Sequence, residues 1–362
     1  MRYVDEFRDG ILAGELAEHI RQEAVRPLQL MEVCGTHTMA IARCGIRSLL
    51  PKSVRLISGP GCPVCVTPQS QIDRFIELGR CPDVVLATFG DMIRVPGTDS
   101  NLEAERAGGA DVRVVYSPLD AVAIAGENPD KRVVFFGVGF ETTAPAVALA
   151  ILEAQRIGLT NFYVLCAHKL IPPAMTALAG DPEVAIDGFI CPGHVSTVIG
   201  SAAYEPVARE HGIPCVIAGF EPLDILQAIH MLVRQAVDGR SEVEVQYSRA
   251  VSRDGNPAAV ECVRTVFETA DAEWRGLGTI PGSGLRLRTD FRAFDASRLL
   301  PEDSAAPLEN EACECGLILK GLKSPSDCGA FGTACTPEHP LGPCMVSSEG
   351  ACAAEHRYSR PT

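Results

Sequence analysis

Two stretches decide the fold: LQLMEVCGTHT at residues 28–38 and VRLISGPGCPVC at residues 54–65. Each starts as a mostly apolar run of strand length, the pattern of a strand covered on both faces. Each then breaks at glycine and passes into a helical pattern, which makes a βα unit of a parallel sheet. Both put cysteine at the turn, Cys34 in the first and Cys62 with Cys65 in the second. A thiol at the carboxyl end of a parallel strand faces the crevice where α/β proteins place ligands. The unpaired N–H groups of the following helix should lower its pKa and favour the thiolate.

The same reading extends outward. Strands are expected at 28–33, 54–58, 84–88 and 112–116, and a second series at 133–137, 162–166, 188–191 and 215–218. Helical patterns lie between them, as at 68–79, 144–157 and 222–237. The turn-rich GENPD at 126–130 separates the two series. The expected fold is therefore α/β, with two Rossmann-like parallel-sheet domains and a small cysteine-rich iron–sulfur domain. The boundaries drawn are 27–128 for the domain holding Cys34 and the Cys62/Cys65 pair, 129–245 for the second, and 246–362 for the third. In the third, a helix is expected at 257–270, and then the chain turns rich in Gly, Pro, Ser and charge. Segment 1–26 carries Val4, Phe7, Ile11, Leu12, Leu16 and Ile20 at helical spacing, and is expected to be a helix packing on the C-terminal domain.

Composition narrows the function. Of 362 residues, 46% are hydrophobic and 22% charged, as in a globular protein with a sizeable core. The formal charge of −14 gives no reason to expect a nucleic-acid or membrane-surface partner. The N-terminal segment has charges throughout and no apolar core of a secretory signal. The longest uncharged apolar run, Thr142 to Leu152, is 11 residues and contains Pro145, too short to span a bilayer. A cytoplasmic location follows as an expectation. Fifteen cysteines then call for a chemical use, since thiols in a reducing compartment serve metals and redox chemistry more than structural bridges.

Six of the fifteen fall between 313 and 352. Taking Cys313, Cys328, Cys335 and Cys352 gives the spacing C-x14-C-x6-C-x16-C, without the close pairs of zinc knuckles. Four thiolates so spaced favour an iron–sulfur cluster over zinc. Cys315 and Cys344 stand outside that spacing and leave open which thiols ligate. Cys62 and Cys65 can form a reducible disulfide or chelate one metal, or simply be buried beside a turn. Cys44, Cys81, Cys166, Cys191, Cys215 and Cys262 read as packing or loop residues.

Other signals fail or stay open. GVGFET at 137–142 follows a strand and opens a helix, but lacks the last glycine of a dinucleotide cradle. GLILKGLKS at 316–324 departs from the phosphate-loop register. Asp91 and Glu141 are polar groups at strand ends, candidates for an inter-domain cleft, with helix capping and turn shaping as the plainer alternatives. His194 reads as a ligand, an acid/base or a loop residue, and His37 as a group that touches iron, protonates a ligand or only shapes the cleft.

The strings MEVCGTHT (31–38), GPGCPVC (59–65), FGDMIRVPG (89–97), GFETTAPA (139–146), CPGHVS (191–196) and AGFEP (218–222) together resemble the HypD family of hydrogenase maturation factors. The C-terminal cysteine spacing is similar to the family's 4Fe–4S pattern, so the resemblance spans nearly the whole chain. It implies an iron-binding redox scaffold more than a simple turnover enzyme. With a HypC-type chaperone it would assemble the Fe(CN)2CO unit of nickel–iron hydrogenases on a transient Fe(II), for delivery through HypC to the hydrogenase large-subunit precursor. Cys34 would hold that iron together with a cysteine of HypC. Cys62 and Cys65 would be a redox pair or iron-associated thiols. Cys313, Cys328, Cys335 and Cys352 would bind a 4Fe–4S cluster, and a HypE-type partner would donate cyanide from a thiocyanate. A freestanding cluster-dependent thiol–disulfide reductase is the competing expectation.

Overall fold

In the computed structural model, which describes residues 5–300 and 310–358, the chain folds into two parallel sheets, a hairpin and a cysteine-rich unit. The strands are β1 (Leu28–Glu32), β2 (Val54–Ser58), β3 (Val84–Thr88), β4 (Asp111–Val114), β5 (Arg132–Gly137), β6 (Phe162–Cys166), β7 (Gly188–Pro192), β8 (Cys215–Ala218), β9 (Val243–Val245), β10 (Phe267–Trp274) and β11 (Gly278–Leu287). The first sheet has the order β2-β1-β7-β8-β9 and the second β4-β3-β5-β6, every pairing parallel. Strands β3, β7 and β8 are buried along their whole length, which is why they are apolar without alternation. One continuous core joins the two sheets and the C-terminal unit, and includes Met31, Phe75, Phe136, Phe189, Trp274 and Cys344. Separate cores cover the outer face of each sheet.

The pairing departs from the expected boundaries at 27–128 and 129–245. Strands β3 and β4 join β5 and β6 across the GENPD break, while β1 and β2 join β7, β8 and β9. The second sheet is therefore an insertion between the two parts of the first. An apolar run declares that it is a strand, but carries no label for its partner.

The N-terminal helix Gly10–Glu23 also packs elsewhere than expected. It lies on the helix Pro222–Asp238 of the first sheet, not on the C-terminal unit. Its buried face is Ala13, Ala17 and Ile20, while Ile11 and Leu12 point to solvent. Two alanines four apart let the helices approach closely, so small side chains override the apolar pattern. Arg8 to Glu221 (2.8 Å) and His230 to Glu23 (3.1 Å) fix its ends. Most of the polar stretch between Leu300 and Ala312 lies outside the described residues.

Region 246–362 divides in two. Helix Pro257–Val266 packs on helix Ala144–Arg156, and the antiparallel hairpin β10–β11 packs on helix Ile171–Ala179, so both belong with the second sheet. The expected helix over 257–270 stops at Val266 because the chain turns there into β10, whose burial alternates. The cysteine-rich unit is docked on the first sheet's βα turns. Its helix Ala351–Tyr358 packs on helix Gly35–Arg43, and its helix Pro343–Val346 on Pro63–Val66.

Candidate functional site

In the first sheet the chain leaves β1 for β2 on one side, while β7 lies on the other. The gap beyond the carboxyl ends of β1 and β7 is thus the topological switch point, the crevice where open α/β sheets bind ligands. Cys34 stands there as the N-cap of helix Gly35–Arg43, in extended backbone. The Gly59–Gly61 loop after β2 folds directly onto it. The Gly35 N–H donates to Gly61 O (2.8 Å), and a Cβ built on Gly61 would lie 2.0 Å from the Cys34 nitrogen. Only glycine permits that approach. It carries the adjoining Cys62 to the same end of the sheet. From the cysteine-rich unit Glu349 reaches in, accepting a hydrogen bond from Thr36 Oγ1 at 2.7 Å.

The electrostatics differ from the expectation of an activated thiolate. Burial pushes the Cys34 thiol up to about 11, against the N–H groups of His37 and Thr36, and the Glu349 carboxylate adds to the rise. Burial likewise holds the Cys65 thiol well above its ordinary value. Desolvation exceeds the pull of these short helices.

Cys62 caps helix Pro63–Val66 and accepts the Cys65 N–H at 3.3 Å. From Cys65 a line of thiols runs into the C-terminal unit. Cys65 is within hydrogen-bonding reach of Cys344, Cys344 of Cys315, and Cys315 of Cys313. All are free thiols. Cys313 in turn lines a small cavity with Cys328, Cys335, Cys352 and the apolar Ile318 and Phe331. Cys335 Sγ accepts the Leu341 N–H at 3.4 Å. Among the described residues no group of three or more His, Cys, Asp or Glu side chains is disposed to hold a metal ion. The cavity is nonetheless lined by five soft thiols, these four and Cys315, with a backbone N–H directed at sulfur, and four such thiolates suit a 4Fe–4S cluster.

The four polar candidates divide between the sheets. His37 and His194 flank the first switch point, stacked on Phe220 with ring centroids 4.8 and 4.0 Å away. His37 Nε2 donates to Gly219 O at 2.9 Å, and its buried Nδ1 has no hydrogen-bond partner among the described residues. Burial lowers its pKa to about 4. Asp91 and Glu141 follow β3 and β5, at the second sheet's own switch point. Asp91 is exposed. Glu141 is buried, accepts the Ile171 N–H at 2.9 Å, and is raised to about 7 by desolvation. It caps the start of helix Ile171–Ala179.

Sequence reasoning singled out Cys315 and Cys344 only as thiols outside the four-cysteine spacing that left the ligand set open, and missed that they join Cys65 to Cys313. Pro343 immediately before Cys344 was the available signal: it marks a helix start, as Pro63 does after Cys62.

The fold and the run of thiols define a cysteine-rich α/β protein with two Rossmann-like sheets. The sequence profile described as "HypD: Hydrogenase formation hypA family" matches residues 12–359. The hydrogenase maturation factor HypD of Azotobacter vinelandii is 56% identical over 370 residues, covering 99% of this chain and 97% of that protein. Those of Cupriavidus necator and Escherichia coli are 52% and 46% identical, each over 99% of this chain and 98% of theirs. The chain belongs to the HypD family of hydrogenase formation proteins.

Proposed function

We propose that this protein is a cytoplasmic redox scaffold for the Fe(CN)2CO unit of nickel–iron hydrogenases, working with a HypC-type chaperone and taking cyanide from a HypE-type donor. The observation that carries the reading is the placing of Cys34 at the switch point, against the loop that leads into Cys62, Cys65 and the thiol line. Iron is the cargo. A buried thiol pushed to about 11 is a poor nucleophile by itself, but a ferrous ion supplies the positive charge that makes it a thiolate ligand. Soft thiolates suit low-spin iron carrying the strong-field ligands cyanide and CO.

Freeing cyanide from a thiocyanate takes two electrons. The thiols Cys62 and Cys65 can give them: R–S–CN plus two thiols yields R–SH, HCN and a Cys62–Cys65 disulfide. Exchange with Cys344 and Cys315, next along the line, would return Cys65 to its thiol. Cys313, Cys328, Cys335 and Cys352 would hold a 4Fe–4S cluster, which supplies electrons one at a time when bound. The competing reading, a reductase of other proteins' disulfides, sits poorly with Cys62 and Cys65 being 4% and 0% exposed. Among the described residues no helix is long and apolar enough to cross a bilayer.

The test is anaerobic co-purification with the HypC-type chaperone, followed by infrared spectroscopy and iron counting. Bands of iron-bound cyanide and CO are expected, and Cys34→Ala should abolish them. Persistence of the bands and of hydrogenase maturation in that variant would refute the assignment.

A further inference from the structure

The tip of the β10–β11 hairpin does more than cover the core. Arg275 sits in that turn, 7% exposed. Its own N–H donates to Val66 O at 3.0 Å, its Nε to Thr67 O at 3.1 Å, and its guanidinium to Gln69 Oε1 at 3.1 Å. Three bonds thus pin it to the last residue of helix Pro63–Val66 and the residues just past it. Gly276 follows at φ +76°, and a Cβ built there would lie 2.2 Å from the Gly316 Cα. The hairpin turn is therefore seated on the Cys315–Gly316 backbone. A cavity of about 140 Å³ is lined by Arg275, Thr98, Asn310, Cys313 and Cys315. Cys313, Cys315 and Leu341 line this cavity and the thiol-lined cavity alike, so they form the wall between them.

We infer that Arg275 is an electrostatic and positioning residue of the electron path: its fixed positive charge raises the reduction potential of a cluster held by Cys313, Cys328, Cys335 and Cys352. The inference rests on the cluster reading given above. Reduction adds one negative charge to the group at the four thiols, and a buried cation behind their wall stabilises that charge more than water would. Its bonds to Thr67 and Gln69 keep the charge from swinging away. The same bonds hold the segment after Cys65 in register with Cys315.

The experiment is an anaerobic redox titration of the reconstituted full chain, followed by electron paramagnetic resonance. At a fixed ambient potential, Arg275→Gln should lower the reduced-to-oxidised ratio about tenfold, equivalent to a midpoint about 59 mV lower. Arg275→Lys keeps the charge and should stay within about threefold of the parent. Asn310→Asp, a nearly isosteric change at an exposed position, sets a carboxylate on the same cavity and should shift the ratio in the same direction by a smaller factor. That variant decides the matter should Arg275→Gln not fold. A residue that only braced the hairpin would change stability in both Arg275 variants and leave the potential alone. Equal midpoints in the parent, Arg275→Gln and Asn310→Asp overturn the inference while leaving the cluster reading intact. A parent chain that takes up no cluster overturns both.

Discussion

Replacing Gly61 with alanine tests whether the contact between the two βα turns makes the site. The added methyl would stand 2.0 Å from the Cys34 nitrogen, 2.3 Å from its Cα and 2.4 Å from the Val33 carbonyl carbon. Ordinary contact begins at 3.4 Å, so the backbones must part by 3.4 minus 2.0, or 1.4 Å. All three clashing atoms are main chain, and no rotamer change relieves them. The Gly35 N–H to Gly61 O bond breaks with the shift. Overpacking of this kind costs about 1–3 kcal/mol, and the lost buried hydrogen bond about 1 kcal/mol more. Urea denaturation of Gly61→Ala should accordingly show a loss of about 2–4 kcal/mol. A displacement of that size between reacting groups costs about a hundredfold in rate, so maturation of a hydrogenase in a complemented strain should fall by at least that. Gly14→Ala is the control, because its Cβ would meet nothing within 4 Å inside an exposed helical turn. It should gain about 0.5–1 kcal/mol. If Gly61→Ala stays within about 0.5 kcal/mol of the parent and matures hydrogenase normally, the reasoning about the paired turns is wrong.

Three further outcomes are expected. His37 has a pKa lowered to about 4 by burial, so the unfolded chain binds its proton more readily; its contribution is present above pH 6.5 and lost as pH falls through 4, about 3 kcal/mol in all. His37→Gln should flatten the acid limb of stability measured by denaturant midpoint against pH. Cys344→Ser should retain cluster absorption yet lose at least tenfold in maturation, because it cuts the thiol line outside the four proposed ligands; loss of the absorption itself would move Cys344 into the ligand set. Ala17→Leu should destabilise by about 1–3 kcal/mol in thermal unfolding, since Ala17 is buried where the N-terminal helix meets Pro222–Asp238.

Much of the fold was legible in local chemistry. Strands β1 to β8 fall where apolar runs end at glycine, proline or cysteine turns; β2, β3, β6 and β8 have the expected boundaries and the other four are shifted by one or two residues. Partnering was not legible, because β3 and β5 read as the same kind of buried strand as β1 and β7, and nothing in a buried strand's composition names its neighbour. The hairpin was missed for a related reason. Its second strand, GTIPGSGLRL, carries three glycines and a proline that read as loop, and only pairing to β10 makes it a strand. At the site, Cys34, Cys62 and Cys65 were readable because each adjoins a glycine turn after a strand. Cys315 and Cys344 were not, since their meaning depends on docking the C-terminal unit against Cys65.

The interleaving of the sheets also governs when the protein can become itself during synthesis. Strands β1 and β2 leave the ribosome with Cys34 and Cys62 just behind them, but their neighbour β7 follows only after the whole inserted sheet has been made. The crevice at Cys34 has no second wall until Gly188–Pro192 emerges, and Glu349 and the cysteine-rich unit follow later still. Such long-range pairing folds slowly. A nascent chain therefore exposes Cys34 and Cys62 while the whole inserted sheet is made, and the buried surroundings that set their chemistry form only when β7 and the cysteine-rich unit have joined the first two strands.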